Sequence, residues 1–258
     1  MNDFGLVDQV STFALVMSRM AGFVVLSPLP GTWLPKQARV ALVVVLSLTL
    51  GVSFAPARSI PFGLELAAAA ATDFTLGLMI GGAFRLFVMA ADFMAGLVAQ
   101  ASWLSVPTSM NPDHGGQGQA LGQVSILLAL LLALAADVHH VVLSYLLESF
   151  RFIPVGSPVT LTAGVLPFVE LVGRSFDVGM SLALPVISIS LAAQTALALV
   201  SRVAPSLQIF SIGFAVLVVT GLVTFMASMR SIAEGLLRYY EGLPPFLDEI
   251  LLRMMGAA

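Results

Sequence analysis

No cysteine occurs in the 258 residues of this chain. That excludes disulfides and thiolate metal sites and leaves the redox compartment open. Charge is scarce as well: Asp, Glu, Lys and Arg make up 10% of the residues, against roughly a quarter in a soluble domain. The net charge is −3 with no basic stripe, so nucleic acid is a poor partner. A removable signal peptide is not expected, because "MNDFGLVDQV" begins acidic and no small-residue cleavage site precedes the next apolar stretch. What remains is apolar. Hydrophobic residues are 59% of the chain, too many to hide inside one soluble globule, and membrane association follows.

Uncharged apolar runs lie at about 40–57, 120–136, 178–201 and 203–229. A bilayer-spanning helix needs roughly 20 apolar residues, so the last two are long enough and the first two are borderline. The stretches 11–28 and 64–98 are also apolar but carry Arg19 in one and Glu65, Asp73, Arg85 and Asp92 in the other. The expectation is an all-α, membrane-associated protein with about six apolar helical segments, four to six of them spanning. Proline and glycine punctuate it at 27–36, 55–63, 151–160 and 201–208. Pro185 should kink the fifth segment. No repeat at fixed period is visible. The distribution of Lys and Arg leans towards a cytoplasmic C-terminus.

A charge at the bilayer centre costs at least ~2.5–3.5 kcal/mol, so each intrahelical charge is expected to face protein or water. Ala69, Asp73, Gly77 and Gly81 recur every four residues and form a small-residue seam for a neighbouring helix backbone. Asp73 within that seam needs a donor from the neighbour. Arg85 and Asp92 share a face but are seven residues apart, too far at ~1.5 Å per residue for an ideal direct pair. Each is expected to pair across a helix or subunit interface, as are Arg174 and Arg202. Glu170, Arg174 and Asp177, at i, i+4 and i+7, can largely neutralise one another. An ion or proton pathway is the functional alternative, and no second carboxylate beside Asp73 marks an ion site.

No catalytic constellation is present, and no cofactor or metal site is expected. The adjacent His139 and His140 of "ADVHHVV" should point about 100° apart on a helix, which disfavours shared metal ligation. His140 and Ser144 could meet, but nothing supplies an orienting third group for a serine nucleophile. The turn-rich "SVPTSMNPDHGGQGQ" (105–119) lacks the Lys-Ser/Thr ending and the preceding strand of a phosphate loop.

Several stretches together resemble one family. "HHVVLSYLLESFRFIPVGS" (139–157) and, more specifically, "LALPVISISLAAQTALALVSRVAPSLQIFSIGF" (182–214) carry the resemblance. "SRMAGFVVLSPLPG" and "LPKQARVALVVVLSL" support it upstream. The chain resembles the FliR/SctT family of type III export-gate membrane proteins over nearly all its length, with a lean to the flagellar branch over the injectisome one. The resemblance implies inclined helical hairpins, residues 1–175 being like the P subunit of the gate and 176–258 like its Q subunit. It implies no enzymatic activity. It further implies partnership with P- and Q-type subunits, the B-type switch protein, export substrates and membrane lipid, at the inner membrane in the flagellar basal body.

In that family a loop after the third long helix helps plug the channel, and the matching stretch here is about 103–119. Trp103, Val106, Pro107 and Met110 would then exclude water, Asn111 and Pro112 stand where the family usually has Asp-Pro, and Gly115 and Gly116, with Gly118, would be hinge positions. The competing class is a small secondary transporter with Asp73, Arg85 and Asp92 along its path, although the paired repeats such proteins often show are not visible.

Overall fold

The computed structural model describes residues 3–29, 35–51, 63–102, 119–157, 159–203 and 209–256. Among these the chain is all-helical, with eight helices: α1 (Asp3–Leu26), α2 (Lys36–Gly51), α3 (Leu64–Ala101), α4 (Gln119–Ala135), α5 (Val138–Phe152), α6 (Leu161–Val203), α7 (Ile209–Tyr240) and α8 (Leu243–Met254). Among the described residues four stretches are long and apolar enough to cross a membrane: Gln9–Leu26, Leu64–Ala101, Thr162–Val203 and Gly213–Met254. A fifth arises if Leu127–Ala135 and Val138–Phe152, bent by 68° at their junction, act as one broken span. This is an all-α membrane protein.

The helices are continuous where the apolar pattern is, and longer than uncharged runs alone imply. α6 starts at Leu161 and absorbs Glu170, Arg174 and Asp177 before the expected 178–201 run. It passes unbroken through Pro185, whose ring is exposed and whose missing N–H leaves the Ser181 carbonyl without its helical donor. Two helices exceed the six expected segments. α5 follows a turn at Ala136 and Asp137, with Asp137 in the left-handed region at φ 54°, a conformation Asp adopts more readily than most residues. α8 is only 12 residues long, too short to span alone. It opens on Pro244 and Pro245, whose missing N–H groups cost nothing in a first turn. Its Leu243, Leu247, Ile250, Leu251 and Met254 are buried at helical spacing.

Packing divides the chain into two units that interleave in sequence. Unit 1 comprises residues 1–87, 137–172 and 241–258; unit 2 comprises 88–136 and 173–240. In unit 1, Leu76, Ile153, Ile250, Leu251 and Met254 form an apolar cluster. The Phe246 ring lies 6.3 Å from both Phe87 and Phe168, within the range of favourable tilted aromatic contacts. The small-residue seam is where α1 meets α3. A Cβ on Gly77 would strike the Arg19 carbonyl oxygen and stand 2.8 Å from the Phe23 nitrogen. One on Gly81 would stand 2.5 Å from the Phe23 carbonyl oxygen, and one on Gly22 would meet the Phe74 carbonyl. Only hydrogen fits at these three positions, and close backbone approach is how helices associate where lipid supplies no hydrophobic drive.

In unit 2 the same device recurs. A Cβ on Gly179 of α6 would stand 2.6 Å from the Ala90 carbonyl oxygen of α3. Phe93 and Phe176 meet edge-to-face beside it, ring centroids 4.5 Å apart. Tyr240 donates to the Ala129 carbonyl at 3.1 Å, tying the end of α7 to α4. The Ser175 and Tyr239 hydroxyls are 2.8 Å apart, so both buried polar tips are satisfied.

Candidate functional site

Unit 1 holds a buried charge node. The Arg19 side chain is 0% exposed and that of Asp73 2%. Arg19 sits on α1 three residues before Gly22, and Asp73 on α3 four before Gly77, so the glycine contact brings the two charged side chains together. Arg19 Nε donates to Asp73 Oδ1 at 2.9 Å, and Arg19 Nη2 donates to the same oxygen. Nη1 donates to the Ser149 carbonyl at 2.9 Å and to Ser149 Oγ at 3.3 Å. Nη2 also donates to the Ile153 carbonyl at 2.9 Å. The other carboxylate oxygen, Asp73 Oδ2, accepts from the Gly156 N–H at 3.2 Å. Phe150 covers one face of the guanidinium, 4.4 Å from its centroid, a cation–π contact.

The node therefore does two jobs. It neutralises a cation and an anion that hydrocarbon would not tolerate unpaired. It also places a guanidinium on two carbonyls at the C-terminal end of α5, where the negative end of the helix dipole lies: that of Ser149, which also accepts from the Ile153 N–H at 2.9 Å, and that of Ile153. A planar, five-donor fork can serve a carboxylate and two carbonyls at once, which an ammonium cannot. The arrangement locks α1, α3, the end of α5 and the Gly156 turn into one body. Both charged side chains and Ser149 are buried, and the node presents no open face for a substrate. Its chemistry is structural.

The other expected pairing residues lie elsewhere. Arg85 and Asp92 are exposed on α3, and Arg174 and Arg202 are exposed on α6. Among the described residues none of these four forms an ion pair, and Glu170 and Asp177 form none with Arg174. Arg19 is legible in the sequence as a charge inside an apolar helix, but nothing there marks it as the donor for Asp73 or brings Ser149 and Gly156 to the pair. The signal for Arg19 was a single cation in an apolar stretch; the carbonyl partners leave no trace in residue type. The expected plug residues Trp103, Val106, Pro107, Met110, Asn111, Pro112, Gly115 and Gly116 lie outside the described residues.

The approach to that loop is described, and it is braced within unit 2. The Ala101 carbonyl, at the end of α3, accepts from Gln194 Nε2 of α6 at 3.1 Å. Ser102 is fully buried and packs where a Cβ on Gly221 of α7 would have to be. The chain thus leaves α3 from a fixed point held by two other helices.

Asp137, His139 and His140 form a second polar group, in unit 1. Their donor atoms lie within 4.8 Å of one another, and the imidazole centroids are 4.1 Å apart, closer than the 100° helical separation implies. Both histidines are in the first turn of α5, where no preceding turn restricts the rotamers. His140 Nδ1 and Asp137 Oδ1 are 3.2 Å apart and both side chains are largely exposed. A carboxylate and two imidazoles are donor types that divalent transition metals accept, and no fourth donor joins them among the described residues.

A family model described as "Bacterial export proteins, family 1" matches residues 10–243. The flagellar biosynthetic protein FliR of Caulobacter vibrioides is 30% identical over 238 residues, spanning 90% of this chain and 94% of the relative. FliR of Escherichia coli K12 is 30% identical over 204 residues, 77% of this chain and 76% of the relative. FliR of Bacillus subtilis 168 is 22% identical over 232 residues, 88% and 89% of the two chains. An all-helical membrane protein matched along most of its length by a bacterial export family, and by flagellar relatives from distant bacteria, belongs to the FliR/SctT family on its flagellar side and is a component of the flagellar type III export apparatus.

Proposed function

We propose that the chain is a structural and gating subunit of the export channel, assembled with P- and Q-type subunits and in contact with the B-type switch protein. It sits at the inner membrane within the flagellar basal body and conducts unfolded export substrates without chemistry of its own. The observation that carries this reading is where the charges lie. Thr162–Val203 is long enough to span, yet only 17% of its 18-residue apolar window is buried, against 67% of the corresponding window in Leu64–Ala101. It exposes Glu170, Arg174, Asp177 and Arg202, groups that cost ~2.5–3.5 kcal/mol each at a bilayer centre. Such a surface needs protein or water beside it, which subunits of a channel provide. Arg85 and Asp92 on α3 belong to the same class. Residues 1–175 then act as the P-like part and 176–258 as the Q-like part.

The 103–119 stretch is the gate. Its Gly, Pro and small polar residues suit a segment that must be displaced at modest cost, and Trp103, Val106, Pro107 and Met110 would exclude water in the idle state. The brace of Gln194 and Gly221 at Ala101 and Ser102 supports this reading, because a plug needs a rigid root. The driving energy comes from the export ATPase and the proton motive force acting elsewhere. Deleting 105–112 in the chromosomal copy should leave the complex assembled with its P- and Q-type subunits and make cells leak small ions. An unchanged membrane conductance sinks the plug, and failure to copurify with those subunits sinks the channel assignment. The family speaks for export over small-solute transport.

A further inference from the structure

The start of α5 carries a donor set that the charge node does not use. Asp137 stands at the N-cap and makes no capping hydrogen bond with its side chain, although satisfying the first N–H groups of a helix is what an Asp there ordinarily does. Its carboxylate turns to His140 instead, Oδ1 lying 3.2 Å from Nδ1, at the i, i+3 separation that puts two side chains on one helix face. The His139 ring lies alongside, its centroid 4.1 Å from that of His140. His139 Nδ1 is shielded from solvent and has no hydrogen-bond partner among the described residues, a condition that buried polar atoms rarely keep unless an ion or water answers it. One donor atom from each of the three residues falls within 4.8 Å of the other two. Ligands at about 2.0–2.2 Å from a metal ion stand roughly 3–4 Å from one another, so the set closes on an ion with about 1 Å of side-chain movement. Asp137 and His140, each 71% exposed, have the room to make it.

We propose that Asp137, His139 and His140 bind one divalent transition-metal ion of the Zn²⁺ class, through two imidazole nitrogens and a carboxylate oxygen, with water in the remaining position. Imidazole mixed with carboxylate is a donor set that such ions take, whereas Mg²⁺ and Ca²⁺ take shells of oxygen. Adjacent histidines in the middle of a helix would diverge too far to share an ion. At the start of α5 no preceding turn restricts them, and the two rings already lie together. The ion ties the N-cap residue to the first turn, and so holds the left-handed joint at Asp137 from which α5 starts. All three ligands come from one short segment, so the site does not depend on how the channel is gated.

Calorimetric titration with Zn²⁺ tests this, on the full chain in detergent, purified without a polyhistidine tag and stripped with a chelator. The chain has three histidines and no cysteine, so His114 is the one other imidazole and serves as the control. The parent should take up one Zn²⁺ per chain, and His114→Ala should bind it as the parent does. His139→Ala, His140→Ala and Asp137→Asn should each weaken binding at least tenfold, since a lost ligand costs no less than the ~10–100-fold of a lost outer-shell partner. Their metal-free melting temperatures should match the parent. Cu²⁺ at the same stoichiometry should show two coupled nitrogens by electron paramagnetic resonance in the parent and one in either histidine variant, a change that loss of fold does not mimic. The proposal is overturned by the lack of saturable Zn²⁺ uptake in the parent, by uptake indifferent to His139 and His140, by its loss in His114→Ala, or by a single-nitrogen spectrum from the parent.

Discussion

Breaking the Arg19–Asp73 node by halves should damage the chain far more than removing it whole. Asp73→Ala leaves the buried guanidinium with two carbonyls and no counter-charge, a change that typically costs ~3–5 kcal/mol. The Gly156 N–H loses its acceptor in the same step. For a chain of this length that corresponds to a melting temperature lower by roughly 6–20 °C. Arg19→Met should cost about the same, because it strands Asp73 and takes the guanidinium from the Ile153 carbonyl, while the Ser149 carbonyl keeps its Ile153 N–H. The double variant Arg19→Met/Asp73→Leu leaves no unpaired charge. Its cost should fall to about 1–3 kcal/mol, set by the Ile153 carbonyl and the Gly156 N–H, which lose their partners. The decisive variant is the exchange Arg19→Asp/Asp73→Arg. If the node were only an ion pair, exchange would restore it. Here the cation must also cap the end of α5, and a carboxylate at position 19 would face the Ser149 and Ile153 carbonyl oxygens. The exchange should therefore remain within a few degrees of the worse single variant. Thermal unfolding of the detergent-solubilised chain, followed by size-exclusion recovery, reads all four. An exchange variant as stable as the parent, or a double variant as unstable as the sum of the singles, refutes the reasoning.

Gly77→Val should lower stability by at least ~2–3 kcal/mol, because its side chain must push the α1 backbone away and drag Arg19 off Asp73. The matched control, Gly96→Ala, meets nothing within 4 Å and should be neutral or gain up to ~1 kcal/mol from helix propensity; similar melting temperatures for the two would contradict the seam. At the root of the loop, Gln194→Ala should cost about 1 kcal/mol from one lost hydrogen bond to Ala101. Gly221→Val should displace Ser102 outright. On the gating reading both raise the idle conductance of cells, Gly221→Val more, and tight cells with either variant would argue that the root is not part of the seal.

The seam and its charge were legible because a four-residue recurrence of small residues has one physical use in an apolar helix. Asp73 inside it had to find a donor, but which donor was not readable. Arg19 reaches it through a contact set by Gly22, and three carbonyl or amide groups complete the shell without any side-chain signature. The length of α6 escaped notice for a different reason. Counting uncharged runs treats Glu170, Arg174 and Asp177 as a boundary, yet a helix tolerates charges wherever one face meets something other than lipid. α8 was hidden because its buried stripe is amphipathic and short, and a search tuned to spanning length passes over it. The bend at Asp137 depends on a left-handed residue that is neither Gly nor Asn, so no turn signal announced it. The fold class, by contrast, needed only the excess of apolar residues and the lack of charge.

Two kinds of charge occupy these apolar helices, and they answer to the same rule. A charge in a low-dielectric setting must be satisfied by something, and the question is only by what. Arg19 and Asp73 are satisfied by their own chain, down to the last donor. Arg85, Asp92, Glu170, Arg174, Asp177 and Arg202 are exposed and outside any ion pair among the described residues. A lipid-facing surface could not carry six such groups at ~2.5–3.5 kcal/mol apiece against a net stability of roughly 5–15 kcal/mol. Their position is therefore information about the surroundings. The faces that bear them meet protein or water.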